Sequence, residues 1–279
     1  MFCIFMHMLN EHATPSPLPI VVKYGGNAMP QAGVPDRVLA EVVDLWRSGT
    51  PIVLVHGGGP EIDRWLGWRG VATERIDGLR VTDAATLETT EAVLCGSLNK
   101  RIVRACGALG ARAVGVSGED ASTLVARRAR SESGADLGYV GEVIDCDPRL
   151  VCALLASGFL PIVAPLAVAR DHAHAFNVNA DLAAGALAAT LGAEAFVALT
   201  NVARVLRDPD DPHSGIDEFS LAQAREFADG DACRSSMRPK LRAAIAAVEG
   251  GVERAYIADA RIGIRDALER GDATIIYRE

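Results

Sequence analysis

Basic charge is scarce in this sequence. Its 28 Lys and Arg face 36 Asp and Glu, for a formal net charge of −8. A chain of that balance lacks the broad basic face that a nucleic-acid partner requires, and an anionic small substrate would have to be met by local basic residues. Metal and redox signatures are lacking too. Cys3, Cys95, Cys106, Cys146, Cys152 and Cys233 form no CxxC pair and stand in no metal-like spacing with histidine. They read as reduced, mainly buried thiols of a cytoplasmic protein.

No Lys or Arg precedes Lys23. Residues 1–19, with Met1, Met6 and Met8 and then Pro15, Pro17 and Pro19, read as a loose N-terminal tail and not as a secretory signal, which needs a basic start and a longer apolar core. Nor is there an unbroken membrane-length run. Leu150 to Ala169 is uncharged, but Ser157-Gly158, Pro161 and Pro165 interrupt it, so it reads as a helix ending near Ala156, a turn, and a buried strand from Phe159 to Val163. No membrane partner is expected.

What the chain does have is a 49% hydrophobic content over 279 residues, enough to bury one large or two modest domains. Apolar runs of strand length recur near residues 20, 52, 113, 160, 196, 255 and 273. Stretches with helical spacing, such as Val38 to Trp46 and Ala84 to Cys106, separate them. That alternation predicts an α/β fold with a mainly parallel sheet. Between Leu124 and Cys146 two β-like pieces joined at Ser131-Glu132-Ser133-Gly134 predict a hairpin excursion. The polar stretch Asp208 to Gly215 reads by composition as a mobile loop. A division between two halves is expected near Gly192.

Two glycine turns follow apolar strands directly: Ile20-Val21-Val22-Lys23-Tyr24-Gly25-Gly26-Asn27 and Ile52-Val53-Leu54-Val55-His56-Gly57-Gly58-Gly59-Pro60. A glycine turn feeding a helix presents free N–H groups and a positive helix end, so the pair can cradle anions, with Lys23 adding a full charge. The plainer reading is two tight connections using glycine for its permissive dihedrals. Neither turn has the GxxxxGK[ST] form of a P-loop or the GxGxxG spacing of a dinucleotide fold.

Three further stations stand at Asp77-Gly78-Leu79-Arg80-Val81-Thr82-Asp83, Asn177-Val178-Asn179-Ala180-Asp181 and Ser236-Met237-Arg238-Pro239-Lys240. Arg80 has the planar fork to grip a carboxylate, or pairs on the surface with Asp77 or Asp83. Asp181 either caps a helix running to Leu191 or stands between Lys23 and Lys240. Lys240 follows Pro239 at the start of a helix, where it either faces what that end binds or is simply solvated.

Read together and in order, VVKYGGNAM, VHGGGPEI, DGLRVTD, LNKRIV, VGVSGEDA, FNVNAD, LTNV and MRPK resemble the amino acid kinase family, and within it the acetylglutamate kinases. The resemblance covers nearly everything from Ile20 to the C-terminus. It implies a three-layer α/β/α open sandwich in which residues 20–192 bind an acyl amino acid and form a homodimer, while residues 193–279 bind ATP. The implied activity is ATP-dependent phosphorylation of the side-chain carboxylate of N-acetyl-L-glutamate, with Mg²⁺ carried by the nucleotide and no metal site in the protein itself.

By motif, the resemblance implies that Lys23 and Lys240 stabilise the transferring phosphoryl group and that Asp181 organises the two lysines. Gly58 and Gly59 would contact the acidic substrate, Arg80 its α-carboxylate and Asn177 its backbone groups. Gly25 and Gly26 would offer N–H groups to phosphates, and Thr200, Asn201 and Met237 would lie with ATP. A side-chain carboxylate, which ordinarily titrates near about pH 4.3, is already ionised at neutral pH, so the nucleophile needs no general base. The six histidines show no triad pattern.

The chain departs from the family where Ser235-Ser236 precede Met237 in place of two glycines, and where Asn201 replaces an aspartate. Its ending, Ala273 to Glu279, lacks the features of arginine-inhibited relatives, so neither arginine feedback nor the associated hexamers are expected. Two alternatives stay open. One is a kinase of another N-blocked acidic amino acid, carrier-bound or differently acylated. The other is a catalytically silent sensor of acyl amino acid or nucleotide.

Overall fold

A computed structural model describes residues 17–25, 36–131, 133–234 and 236–279. Most of the expected tail, Gly26, and Ser235 lie outside the described residues. Along the chain, β1 (Ile20–Tyr24), α1 (Arg37–Arg47), β2 (Ile52–His56) and α2 (Gly59–Trp68) lead into a small hairpin, β3 (Arg75–Ile76) and β4 (Leu79–Arg80). Then α3 (Ala84–Glu91), a π-helical stretch Ala92–Leu98 and α4 (Asn99–Ala108) run on without a break where the sequence predicts one helix. Next come β5 (Ala113–Ser117), β6 (Leu124–Arg130), β7 (Asp136–Cys146), α5 (Arg149–Ala156), β8 (Leu160–Ala164), β9 (Leu166–Ala169) and β10 (Ala175–Val178). The remainder is α6 (Ala180–Leu191), β11 (Ala195–Thr200), β12 (Val205–Leu206), β13 (Gly215–Ile216), β14 (Glu218–Ser220), α7 (Leu221–Asp229), α8 (Arg238–Glu249), β15 (Arg254–Asp259), α9 (Ile264–Arg270) and β16 (Thr274–Tyr277).

All seven apolar runs become strands of one eight-stranded sheet, in the order β14-β16-β15-β11-β1-β2-β8-β5. Every pairing in it is parallel except β15 with β16. β1, β2, β8 and β11 are buried along their whole length, as strands covered by helices on both faces must be. Side chains alternate across the sheet. Val22, Leu54 and Leu199 join one core with α1, α2, α4 and α9. Val21, Val55 and Ala198 join the other with α6 and α8. Each fully buried Val, Leu or Ile there contributes on the order of 1.5–3 kcal/mol.

The predicted hairpin is larger than the sequence suggested. β6 and β7 pair antiparallel, β9 pairs with β10, and β6·β9 and β7·β10 contacts close the four strands into a small barrel around Leu124, Ala126, Ala167 and Phe176. The segment Asp208 to Ser214 is the tip of the β12–β13 hairpin, tied by Asp208 N–H to Ser214 Oγ and Ser214 Oγ–H to Asp211 O. Cys95, Cys106, Cys146 and Cys233 are free thiols. Cys152 is disulfide-bonded, a departure from the expectation of six reduced thiols.

Candidate active site

β1 is the strand from which the sheet grows in both directions, towards β2 on one side and β11 on the other. The carboxyl end of such a strand opens a crevice that no crossover helix covers. Both glycine turns leave the sheet there, in contact. A Cβ on Gly25 would fall 2.5 Å from Gly57 N, and Gly57 N–H donates to Tyr24 O at 2.8 Å. Only a residue without a side chain lets the two turns lie this close.

Lys23, two residues after Val21, points to the same side of the sheet, where α6 and α8 pack. These helices lie close because they present small residues. A Cβ on Gly185 would sit 2.5 Å from Ala243 O, and one on Gly250 would meet Ala189 Cβ at 2.2 Å. The first turns of α6 and α8 therefore stand side by side at the end of β1. Asn179, not Asp181, caps α6: its Oδ1 accepts from Asp181 N–H at 2.9 Å and Leu182 N–H at 3.3 Å. With capping done by Asn179, the Asp181 carboxylate is available to the lysines. Lys240 Nζ donates to Asp181 Oδ2 at 3.0 Å, and Lys23 Nζ lies 3.0 Å from Oδ1. One carboxylate oxygen thus faces each ammonium.

Lys23 and Asp181 are both buried, at 6% and 4% exposure. Burial alone would raise the Asp181 carboxyl, but Lys23 and then Lys240 outweigh it and hold the group below the usual carboxylate value. Burial lowers the Lys23 ammonium from 10.5; Asp181 opposes the shift and Lys240 adds to it. Two cations on one carboxylate leave a net positive point beside the crevice.

Lys23 and Asp181 line a cavity of about 210 Å³ together with Gly58, Gly59, Arg75, Arg80, Asn177 and Val178. Arg80 reaches it from β4. The β3–β4 hairpin turns on Asp77 and Gly78, with φ of 52° and 78°, the two-residue turn in which both central residues need positive φ and for which Asp-Gly is suited. Arg80 is buried. It pairs with Asp63 and donates to Gly59 O at 3.2 Å, so its partner is neither Asp77 nor Asp83. Asp83 instead caps α3 by accepting from Thr86 N–H at 2.7 Å. Asp63 also accepts from Arg75 at 3.1 Å. Burial opposes the shift, but Arg80 and Arg75 hold the Asp63 carboxyl below its ordinary value.

Asn177 is joined to Arg80's segment through Thr82: Asn177 Nδ2–H donates to Thr82 Oγ1 at 3.2 Å, and Thr82 exchanges backbone bonds with Leu137 and Tyr139 of β7. The barrel thus fixes the wall of the cavity that Asn177 and Arg80 line.

Gly59 has open space where a Cβ would stand, whereas a Cβ on Gly58 would meet Leu94 and Leu98 methyls at 2.6 and 2.7 Å. Space explains Gly58 and not Gly59. Thr200, Asn201 and Met237 lie outside this cavity. Thr200 ends β11 and is buried, Asn201 is exposed beyond it, and Met237 packs on the second core at the start of α8.

The motifs leave out Asp63 and Arg75, and they contain Thr82 and Asn179 without a role for either. One signal was available for the lysines: Lys23, Lys100 and Lys240 are the chain's only three, against 25 arginines. Among the described residues no group of three or more His, Cys, Asp or Glu could hold a metal ion.

A family model described as "Amino acid kinase family" matches residues 19–259. Acetylglutamate kinase from Petrotoga mobilis is 39% identical over 263 residues, 93% of this chain and 87% of that protein. Its namesake from Synechocystis sp. is 41% identical over 243 residues, 87% and 80% of the two. Among solved structures, N-acetylglutamate synthase from Neisseria gonorrhoeae, complexed with coenzyme A and N-acetyl-glutamate, superposes with a TM-score of 0.76 at 25% identity. It covers 94% of this chain and 60% of that one. Carbamate kinase from Giardia lamblia bound to AMP-PNP, at 18% identity, TM-score 0.68 and coverage of 95% and 99%, shares the fold.

Proposed function

Since the chain belongs to the amino acid kinase family, we propose that it transfers the γ-phosphoryl group of ATP to the side-chain carboxylate of N-acetyl-L-glutamate, giving N-acetyl-L-glutamyl 5-phosphate and ADP. The observation that carries the reading is the pair of ammonium groups held on one buried carboxylate at the wall of a cavity that Arg80 also lines.

The chemistry asks little else of the protein. The ionised acceptor oxygen attacks the γ-phosphorus, the P–O bond to the leaving β-phosphate breaks, and ADP departs with that electron pair. No proton has to be removed. The obstacle is bringing two anions together in line, which positioning and charge neutralisation overcome. Lys23 and Lys240 offset charge on the transferring group. Asp181 fixes the spacing of both without neutralising them. Gly58 and Gly59 offer the first-turn amides of α2 to the acceptor, and Arg80 and Asn177 orient its α-carboxylate and backbone groups. Gly25 and Gly26 are assigned to the phosphates.

ATP is assigned to the half spanning 193–279, near Thr200, Asn201 and Met237, with magnesium arriving on the nucleotide. The reading includes a cytoplasmic homodimer formed by residues 20–192. No described helix is long and apolar enough to cross a membrane. ADP release with Mg-ATP and N-acetyl-L-glutamate, glutamate, N-acetylaspartate or aminoadipate tests the assignment, with Lys23→Ala as the blank. Turnover selective for N-acetyl-L-glutamate and reduced about a hundredfold or more in a folded Lys23→Ala protein is expected. Near-normal turnover in the variant would remove Lys23 from the chemistry.

A further inference from the structure

His56 is fully buried directly before the second glycine turn, and the phosphoryl-transfer reading gives it no task. Its surroundings settle which nitrogen carries the proton. Asn99, at the start of α4, is also buried. Its side-chain amide fits because β5 carries Gly115 at the point of contact, where a Cβ would fall 1.8 Å from Asn99 Oδ1. Asn99 Nδ2 faces the carbonyls of Ile162 at 2.9 Å and Val116 at 3.4 Å. Asn99 Oδ1 accepts from the Lys100 ammonium at 3.2 Å. Carbonyls only accept and an ammonium only donates, so both ends of the amide are fixed. The second Nδ2 hydrogen then points at His56 Nε2, 3.2 Å away, which must be the bare nitrogen. His56 Nδ1 carries the hydrogen and gives it to Gly57 O at 3.1 Å.

The consequence lies in the turn. Gly57 N–H is held by Tyr24 O, and Gly58 O accepts from Ile62 N–H at 3.0 Å. Between them, the Gly57–Gly58 peptide is tied only through the imidazole among the described residues. In a trans peptide C=O and N–H point in opposite directions. Turning Gly57 O inward to His56 therefore turns the Gly58 N–H outward, and Gly57, Gly58 and Gly59 line the cavity.

We infer that the buried His56–Asn99 pair is a positioning device that locks the Gly57–Gly58 peptide with its amide facing the acceptor carboxylate. What that amide contacts rests on the proposed function; the lock itself does not.

Two measurements test it. ¹⁵N NMR of the imidazoles in the wild-type protein reads the tautomer without any turnover. The lock requires Nδ1–H with a bare Nε2, and Nε2–H would overturn it. Steady-state kinetics then compare two substitutions. Asparagine places an N–H where His Nδ1 stood, and glutamine keeps only an atom at the Nε2 position. The lock predicts that His56→Gln raises the KM for N-acetyl-L-glutamate about tenfold or more, the scale of one lost bond to a charged group, with the KM for ATP unmoved. His56→Asn recovers most of that loss. If both variants leave the acceptor KM unchanged, or lose activity only in proportion to their melting temperatures, the pair is structural and the inference fails. If the wild type is silent with N-acetyl-L-glutamate, the functional reading fails, while the tautomer still decides the lock.

Discussion

Replacing Asp181 by asparagine removes one buried negative charge from between two buried positive ones. Each ammonium stands 3.0 Å from the carboxylate, which at an effective dielectric of about 20 corresponds to about 5 kcal/mol of attraction per pair. Loss of a partner from a buried ion pair costs about 3–5 kcal/mol once water and side chains readjust. A protein of ordinary stability cannot bear that twice over, so Asp181→Asn is expected to shed a proton instead. Lys23 will lose it, because its side chain is 8% exposed against 16% for Lys240 and burial already lowers its pKa. A neutral Lys23 no longer offsets charge on the transferring group, a loss of about 3 kcal/mol or roughly a hundredfold in kcat. The proton returns as the solution becomes more acidic. The ratio of variant to wild-type kcat should therefore climb as the solution becomes more acidic, for as long as the acceptor carboxylate, which ordinarily titrates near about pH 4.3, stays ionised. Steady-state ADP release at several pH values measures the ratio. A ratio that is flat with pH, or a variant with wild-type kcat, refutes the argument.

Three other outcomes follow from the same geometry. Arg80→Lys loses the planar fork shared between Asp63, Gly59 O and the cavity, and should raise the acceptor KM roughly tenfold to a hundredfold while leaving the KM for ATP alone. Burial lowers His56 from 6.5 to about 4, so its neutral form favours the folded state. That contribution is complete above pH 6.5 and is lost as pH falls towards 4. It amounts to about 3 kcal/mol, and denaturant titrations should show this loss in the wild type and not in His56→Gln. Gly185→Ala forces a Cβ to within 2.5 Å of Ala243 O and should cost about 1–3 kcal/mol, seen as a fall in melting temperature; an unchanged value would mean that α6 and α8 separate freely.

The central sheet was legible because each of its main strands is an apolar run bounded by turns, a local signal. The barrel was not, because β9 and β10 meet β6 and β7 through pairings between distant segments that no local periodicity marks. β14 is too short to register. At the site, the order of motifs named Lys23, Asp181, Lys240, Arg80 and Asn177, and the structure joins these five around or beside one cavity. It could not separate the capping role of Asn179 from the charge-bridging role of Asp181, because both residue types cap helices well. Arg80's true partner escaped for a related reason. Asp77 and Asp83 are neighbours in sequence, whereas Asp63 becomes a neighbour only after α2 and the β3–β4 hairpin pack together.

Phosphoryl transfer to a carboxylate leaves an acyl phosphate, a mixed anhydride that a strong nucleophile can trap. Hydroxylamine attacks the carbonyl carbon of an acyl phosphate, releases phosphate and leaves a hydroxamate. Wild-type protein incubated with Mg-ATP, N-acetyl-L-glutamate and hydroxylamine should accumulate hydroxamate in step with ADP, and Lys23→Ala should yield almost none. ADP released without hydroxamate, or hydroxamate formed equally by the variant, would contradict phosphorylation of that carboxylate by the paired lysines.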